Sequence, residues 1–154
     1  MRGLRYALLL SATAVVPLAG QRPLTVTGIQ SLTFGTLIPG IPSVVSRTDA
    51  VKSGRFDVGG PHDTQGRLTF TLPSVLTGPA GATLPLTFSG SDAGFSQSQN
   101  IGSQIGFDPK QPFLMTFSGQ GRGSVFLGAT ARPAPTQRAG SYTGTITLNL
   151  TAFP

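Results

Sequence analysis

Between Gly140 and Thr151 polar and apolar side chains alternate, with Tyr142, Ile146, Leu148 and Leu150 on one side of the alternation and Thr143, Thr145, Thr147, Asn149 and Thr151 on the other. Successive side chains of an extended chain point to opposite faces, so this spacing predicts a half-buried β-strand that begins after a glycine turn. The same period returns at residues 24–27, 32–37, 67–72, 83–88, 112–117 and 123–131, with shorter candidates at Val44-Val45 and at residues 53–58. In 67–72 the pattern turns Leu68, Phe70 and Leu72 inward; in 83–88 it turns Leu84, Leu86 and Phe88 inward. Residues 32–37 read either as a second short strand or as the continuation of a bent first one. No segment after residue 20 has the apolar spacing and caps of a long helix.

The 21 glycines and 13 prolines fall between these runs, where they punctuate strands instead of forming a disordered tract. Pro39 and Pro42 lack the amide hydrogen a central ladder needs, so the chain leaves the sheet there; Pro73 stops the strand before it, and Pro85 suggests an edge or a bulge. Gly119-Gln120-Gly121-Arg122-Gly123 reads as a tight hairpin turn, since it lacks the Lys-Ser/Thr pair and following helix of a phosphate loop. Residues 89–103, mostly Gly, Ser, Gln, Asn and Asp around Phe95, read as the longest polar loop. Short strands of this kind bury their apolar faces by stacking two antiparallel sheets about 10 Å apart. Ten phenylalanines against two tyrosines and no tryptophan suit a dry core better than a sugar-stacking platform.

The amino-terminal end is a basic stretch, Met1-Arg2-Gly3-Leu4-Arg5, followed by an apolar run through Val16 that is short for a bilayer span. Residues 1–20 are expected to be a signal peptide cut after Ala19 or Gly20, with an uncleaved anchor as the alternative. Residues 21–154 then make a single β-sandwich domain, exported to the periplasm, cell surface or medium. With no cysteine, its stability rests on packing and ladders alone. An outer-membrane barrel fits poorly, because many of the runs are shorter than the 9–11 residues a membrane strand needs and the Tyr/Trp girdles are missing.

The formal net charge of +6 is spread over single arginines and lysines, two of which, Arg2 and Arg5, lie in the signal. There is no cationic stripe with interleaved aromatics, which argues against a nucleic-acid partner. His62 beside Asp63 is the one place where a hydrolase reading starts, but no Gly-x-Ser-x-Gly elbow accompanies it and the pair reads as an ordinary loop. Asp49, Asp57, Asp63, Asp92 and Asp108 are scattered singly, without calcium-loop or zinc spacing, so no catalytic residue, cofactor or metal is expected. Asn149-Leu150-Thr151 matches a glycosylation acceptor pattern inside an expected strand.

Three motifs, Leu32-Thr33-Phe34-Gly35-Thr36, Arg67-Leu68-Thr69-Phe70-Thr71-Leu72-Pro73 and Gly140-Ser141-Tyr142-Thr143-Gly144-Thr145-Ile146-Thr147-Leu148, in this order after a signal, resemble family 4402 of exported bacterial domains of unknown function. More distantly they resemble spore-coat U and chaperone–usher pilin subunits. The resemblance implies an all-β, immunoglobulin-like antiparallel β-sandwich at the cell surface, a fibre or coat component with no catalytic residues to carry over. The cysteine pair often seen in the spore-coat and pilin subunits is missing here.

The resulting expectation is a noncatalytic structural subunit of the envelope or surface, associating with its own copies or with other envelope proteins through an exposed strand edge. Leu24, Val26 and Ile29 are the candidate strand-exchange or sheet-completing residues: the segment either completes a neighbour's sheet or, as favoured here, its own. The alternative is a module that binds polysaccharide or protein through residues 89–103.

Overall fold

The computed structural model describes residues 22–154, and the signal-peptide expectation for residues 1–20 lies outside them. The chain forms β1 (Thr25–Gln30), β2 (Ser43–Val45), β3 (Gly54–Gly59), β4 (Gln65–Thr71), β5 (Val75–Thr77), β6 (Thr83–Thr87), β7 (Ala93–Ser96), β8 (Ile105–Phe107), β9 (Phe113–Thr116), β10 (Arg122–Leu127), β11 (Ala129–Ala131) and β12 (Thr147–Ala152). Every strand pair is antiparallel. Three sheets result, with strand orders β1-β3-β10-β7-β8, β2-β11-β6-β5 and β12-β4-β9. The fold is thus all-β, antiparallel and multi-sheet.

The five- and three-stranded sheets contribute their inward side chains to one core. Val58, Phe95, Phe107, Val125 and Leu127 come from the first, and Leu68, Met115 and Leu148 from the second. Phenylalanine rings bridge the two sheets: Phe107 stacks on Phe113 at 4.1 Å and 12°, Phe56 meets Phe70 edge-on at 6.0 Å, and Phe95 lies 6.2 Å from Phe113. The edge-on Phe56–Phe70 pair is favourable for the ring quadrupole beyond the area it buries. A smaller cluster, Leu84, Leu86, Ala129 and Ala131, lies under the four-stranded sheet, with Leu32, Phe34, Leu37, Leu76, Phe88 and Tyr142 packed against it.

Several sequence expectations are corrected by the tertiary arrangement. The run 123–131 is two strands in two sheets, β10 and β11, hinged at Gly128, where a Cβ would collide with the main-chain oxygen of Val45. The expected strand at 140–151 is also divided. Thr143 forms an isolated bridge with Thr77, and β12 starts only at Thr147, opposite Thr71. Between those two pairings five residues, 72–76, face three, 144–146, and Pro73 has no amide to donate, so the ladder bulges and restarts. As a consequence Tyr142 packs in the smaller cluster while Ile146, Leu148 and Leu150 pack in the larger.

Residues 32–37 form no strand, although their alternation survives as half-buried Leu32, Phe34 and Leu37. Gly35 takes φ 69°, which turns the chain, and the main-chain hydrogen bond of the stretch is Thr33 N–H to Lys52 O at 2.9 Å. The expected polar loop 89–103 contains β7, an interior strand buried at all four residues, because Ala93 and Phe95 face the core and Gly94 and Ser96 are small enough to be covered by their neighbours. Its partner β8 and the short β5 carry too little alternation to announce themselves. Pro85 lies inside the four-stranded sheet rather than at its edge: β5 pairs with residues 83–85, β11 with Leu86 and Thr87, and the Pro85 carbonyl accepts the Arg132 amide at 2.9 Å. The turn at 119–123 is tight, with Gly121 N–H donating to Ser118 O at 2.8 Å, but it is no hairpin, since it carries the chain from β9 in one sheet to β10 in another.

Candidate functional site

The end of the molecule beyond Gly128 opens into a groove of roughly 730 Å³. One wall is residues 31–37, which continue from β1. The other is residues 137–144, which lead toward β12, and the floor is Leu76, Leu84 and Leu86. A second hollow of roughly 380 Å³ shares Ser31, Leu32, Gly144 and Ile146 with it and reaches Ile29, Phe56 and Leu127. Of the lining residues of the larger hollow, Arg138 alone carries a charge. The rim is pinned by Tyr142, whose hydroxyl accepts from Gln137 Nε2 and donates to Arg138 O, both at 2.7 Å.

The walls owe their shape to the breaks already described. Gly35 and the Pro39-Gly40 turn take one of them out of the ladder beside β3, and the bulge opposite Pro73 holds the other out of the ladder beside β4. Neither wall belongs to a regular strand: residues 31–37 are tied down by Thr33 N–H to Lys52 O at 2.9 Å, and residues 137–144 by the paired main-chain bonds between Thr143 and Thr77 at 2.8 and 2.9 Å. Backbone left outside the sheets in this way offers another strand a place to pair. Sequence reasoning did not find the groove; its available signal was the grouping of Pro39, Pro73 and Pro133 at the ends of otherwise apolar runs.

The candidate exchange residues lie on β1 and just before it. Leu24 and Val26 pack against the larger core, Val26 stands opposite Val58, and Ile29 sits at the register shift between Gly28 and Gln30, 51% exposed. β1 is the edge strand of its own five-stranded sheet.

The His62 ring approaches the Asp63 carboxylate to 3.2 Å, but the two side chains are 75% and 80% exposed, and water competes for both. Asp57 is better held, accepting from Arg55 at 2.9 and 3.3 Å and from the buried Ser124 hydroxyl at 2.6 Å. Asp49, Asp92 and Asp108 cap turns, accepting main-chain amides at 2.6–2.9 Å. Hydrogen bonds from the amides of Lys52 and Val51 hold the Asp49 carboxyl below its ordinary pKa. Among the described residues no three of His, Cys, Asp and Glu gather in one place. Asn149 is exposed in β12.

What remains of the expected binding loop is the connection 97–104 between β7 and β8. It is tied down by Gln97 Nε2 to Thr116 O at 2.7 Å, by Gln104 Nε2 to Ile101 O at 2.7 Å and by Gly102 N–H to Asn100 Oδ1 at 2.8 Å.

No protein-family model matches the chain, so the resemblance to family 4402 rests on the three quoted motifs. No curated protein matches it either. A similar solved structure is a chain from the work "Chaperone-tip adhesin complex is vital for synergistic activation of CFA/I fimbriae biogenesis", with 12% sequence identity and a TM-score of 0.49 over 85% of this chain. This chain spans 42% of that one, and at that score the likeness carries no argument about fold or activity. Among the described residues no helix is long and apolar enough to cross a membrane.

Proposed function

We propose that this chain is a noncatalytic structural subunit exported to the cell envelope or surface, an immunoglobulin-like sandwich resembling family 4402 and, more distantly, the spore-coat and pilin subunits, and that it assembles by taking an extended strand into its groove. The observation that carries this reading is the groove itself, an apolar floor between two walls that form no regular strand. An incoming strand exchanges water for ladder hydrogen bonds, each worth about 0.5–1.5 kcal/mol net, while its alternate apolar side chains bury against Leu76, Leu84 and Leu86. Leu24 and Val26 of a neighbour, two residues apart, supply that spacing, and Ile29 follows at the register shift between Gly28 and Gln30. The solvated His62-Asp63 pair and the turn-capping aspartates fit a subunit that performs no chemistry.

The test is the mass of the full chain across a concentration range, together with titration of a synthetic peptide of residues 22–30. Species larger than one chain that grow with concentration, and peptide uptake that weakens in Leu86→Asp, are expected. A strict monomer that ignores the peptide overturns the proposal.

A further inference from the structure

Residues 38–42, Ile-Pro-Gly-Ile-Pro, are five consecutive exposed residues without one polar side chain. Ile38 and Ile41 are 61% and 56% exposed, and Val44, just beyond them in the edge strand β2, is 71% exposed. An exposed apolar run of this length is unfavourable in water and marks a surface that another phase or molecule covers. The run is held firmly. Ile41 N–H donates to Ile38 O at 3.1 Å around Pro39 and Gly40, and the Gly40 φ of 77° is the one a type II turn demands. Gly40 N–H is shared by Pro133 O at 3.2 Å and Ala134 O at 3.1 Å, which pins the tip to residues 133–135. Pro39 and Pro42 have no amide hydrogen. From Pro39 to Pro42, therefore, every main-chain donor is either missing or satisfied, and the tip can leave water without stranding an N–H.

The charges around the tip are of one sign. The segment that holds it is bracketed by Arg132 and Arg138, both exposed and neither ion-paired among the described residues. The five carboxylate side chains, Asp49, Asp57, Asp63, Asp92 and Asp108, all lie outside residues 31–45, 75–87 and 129–146, which build this end of the molecule.

We propose that the 38–42 turn docks this domain on an anionic phospholipid bilayer, with Ile38 and Ile41 entering the acyl boundary and Arg132 and Arg138 facing the phosphates. Buried aliphatic area and cations within reach of anionic headgroups are the two components of interfacial binding. A protein partner fits the tip less well, because residues 38–42 offer no aromatic anchor and the turn from Pro39 to Pro42 no free amide for a strand or a polar rim to pair with. The docking is separate from strand uptake, since neither isoleucine lines the groove.

The chain has no cysteine, so one fluorophore can be placed at a chosen position. Full chains carrying an environment-sensitive label at Ile41→Cys, or at Ile105→Cys as a control of similar exposure on β8, are titrated with vesicles of phosphatidylcholine alone or mixed equally with phosphatidylglycerol. Blue-shifted emission, quenched by groups carried on the acyl chains, is expected at position 41 with the anionic vesicles and not at position 105. In the chain labelled at 41, Ile38→Asp should weaken vesicle affinity by about 10-fold or more. Arg132→Gln and Arg138→Gln should weaken it by about 5-fold each, and added salt should weaken it too.

Labels at 41 and 105 that respond alike, as they would if another part of the chain held the vesicle, overturn the proposal. A signal at 41 that is indifferent to vesicle charge also overturns it. So does a label at 41 that responds to protein concentration and not to vesicles, which is the result expected if a second copy covers the tip. Should Ile38→Asp fold poorly, Ile38→Ser removes the same aliphatic area without adding a charge and must move affinity in the same direction. Uptake of the 22–30 peptide is expected to be unchanged in Ile38→Asp, so failure of the docking leaves the subunit reading intact, and loss of peptide uptake by the unsubstituted chain leaves the docking intact.

Discussion

The two apolar clusters are built from the same kind of alternating strand, and they end differently. The larger lies between two laddered sheets, with Leu68, Phe117 and Val125 buried and phenylalanine rings bridging the sheets. The smaller has one laddered side, the sheet β2-β11-β6-β5, and opposite it only the irregular residues 32–37 and Tyr142, so part of its surface lines the groove. A core is closed by what faces it, and the same leucine spacing yields a closed interior or an open groove according to whether the facing segment keeps its ladder.

The contrast is open to direct measurement. Leu68→Ala in the larger core is expected to lower unfolding free energy by about 4–5 kcal/mol, because Leu68 is buried and lines neither hollow, so its packed neighbours leave the cavity unfilled. Leu84→Ala, the same chemistry at 1% exposure in the other cluster, is expected to cost about 2–3 kcal/mol, since the groove walls beside it collapse into the space. Equal losses in urea titrations of the two variants would erase the distinction drawn between the clusters.

Smaller effects sharpen it. Tyr142→Phe removes the two hydrogen bonds that pin the rim and should cost about 0.5–1.5 kcal/mol, with faster amide exchange confined to residues 137–144. Asp49 tests the opposite wall. Its carboxylate holds the amides of Val51 and Lys52, and Lys52 O in turn accepts Thr33 N–H. Because the folded pKa is lowered, the support is present above the ordinary carboxylate value near pH 4 and is lost as pH falls through the folded one. Thr33 amide exchange, corrected for its intrinsic pH dependence, should therefore accelerate in acid, and Asp49→Ala should remove that dependence. At the far, solvated end, His62→Ala is expected to change stability by less than about 0.5 kcal/mol.

Strand content was legible in two of the long alternating runs, and not in residues 32–37, where the same pattern forms no strand. Residues 67–72 and 83–88 announce β4 and β6, and Leu68, Leu84 and Leu86 are buried as their spacing requires. β7 was not legible, because Ala93-Gly94-Phe95-Ser96 offers one large apolar residue and its burial depends on β10 and β8 lying to either side. The divisions at Gly128 and between Thr143 and Thr147 were equally hidden, since alternation continues through both while the partner strand changes. For the groove, the breakers Pro39 and Pro73 were visible and their meeting place was not.

The amino-acid order by itself determined an all-β chain held without disulfides and the inward residues of its longer strands. Periodicity, glycine, proline and residue chemistry act over a few neighbours and need no partner to be read. Only the tertiary structure decided which strands pair, where one run serves two sheets, and that residues 32–37 face an opening instead of a ladder. Those outcomes depend on main-chain groups far apart in the chain competing for the same hydrogen-bonding edge, and a local pattern carries no record of who wins.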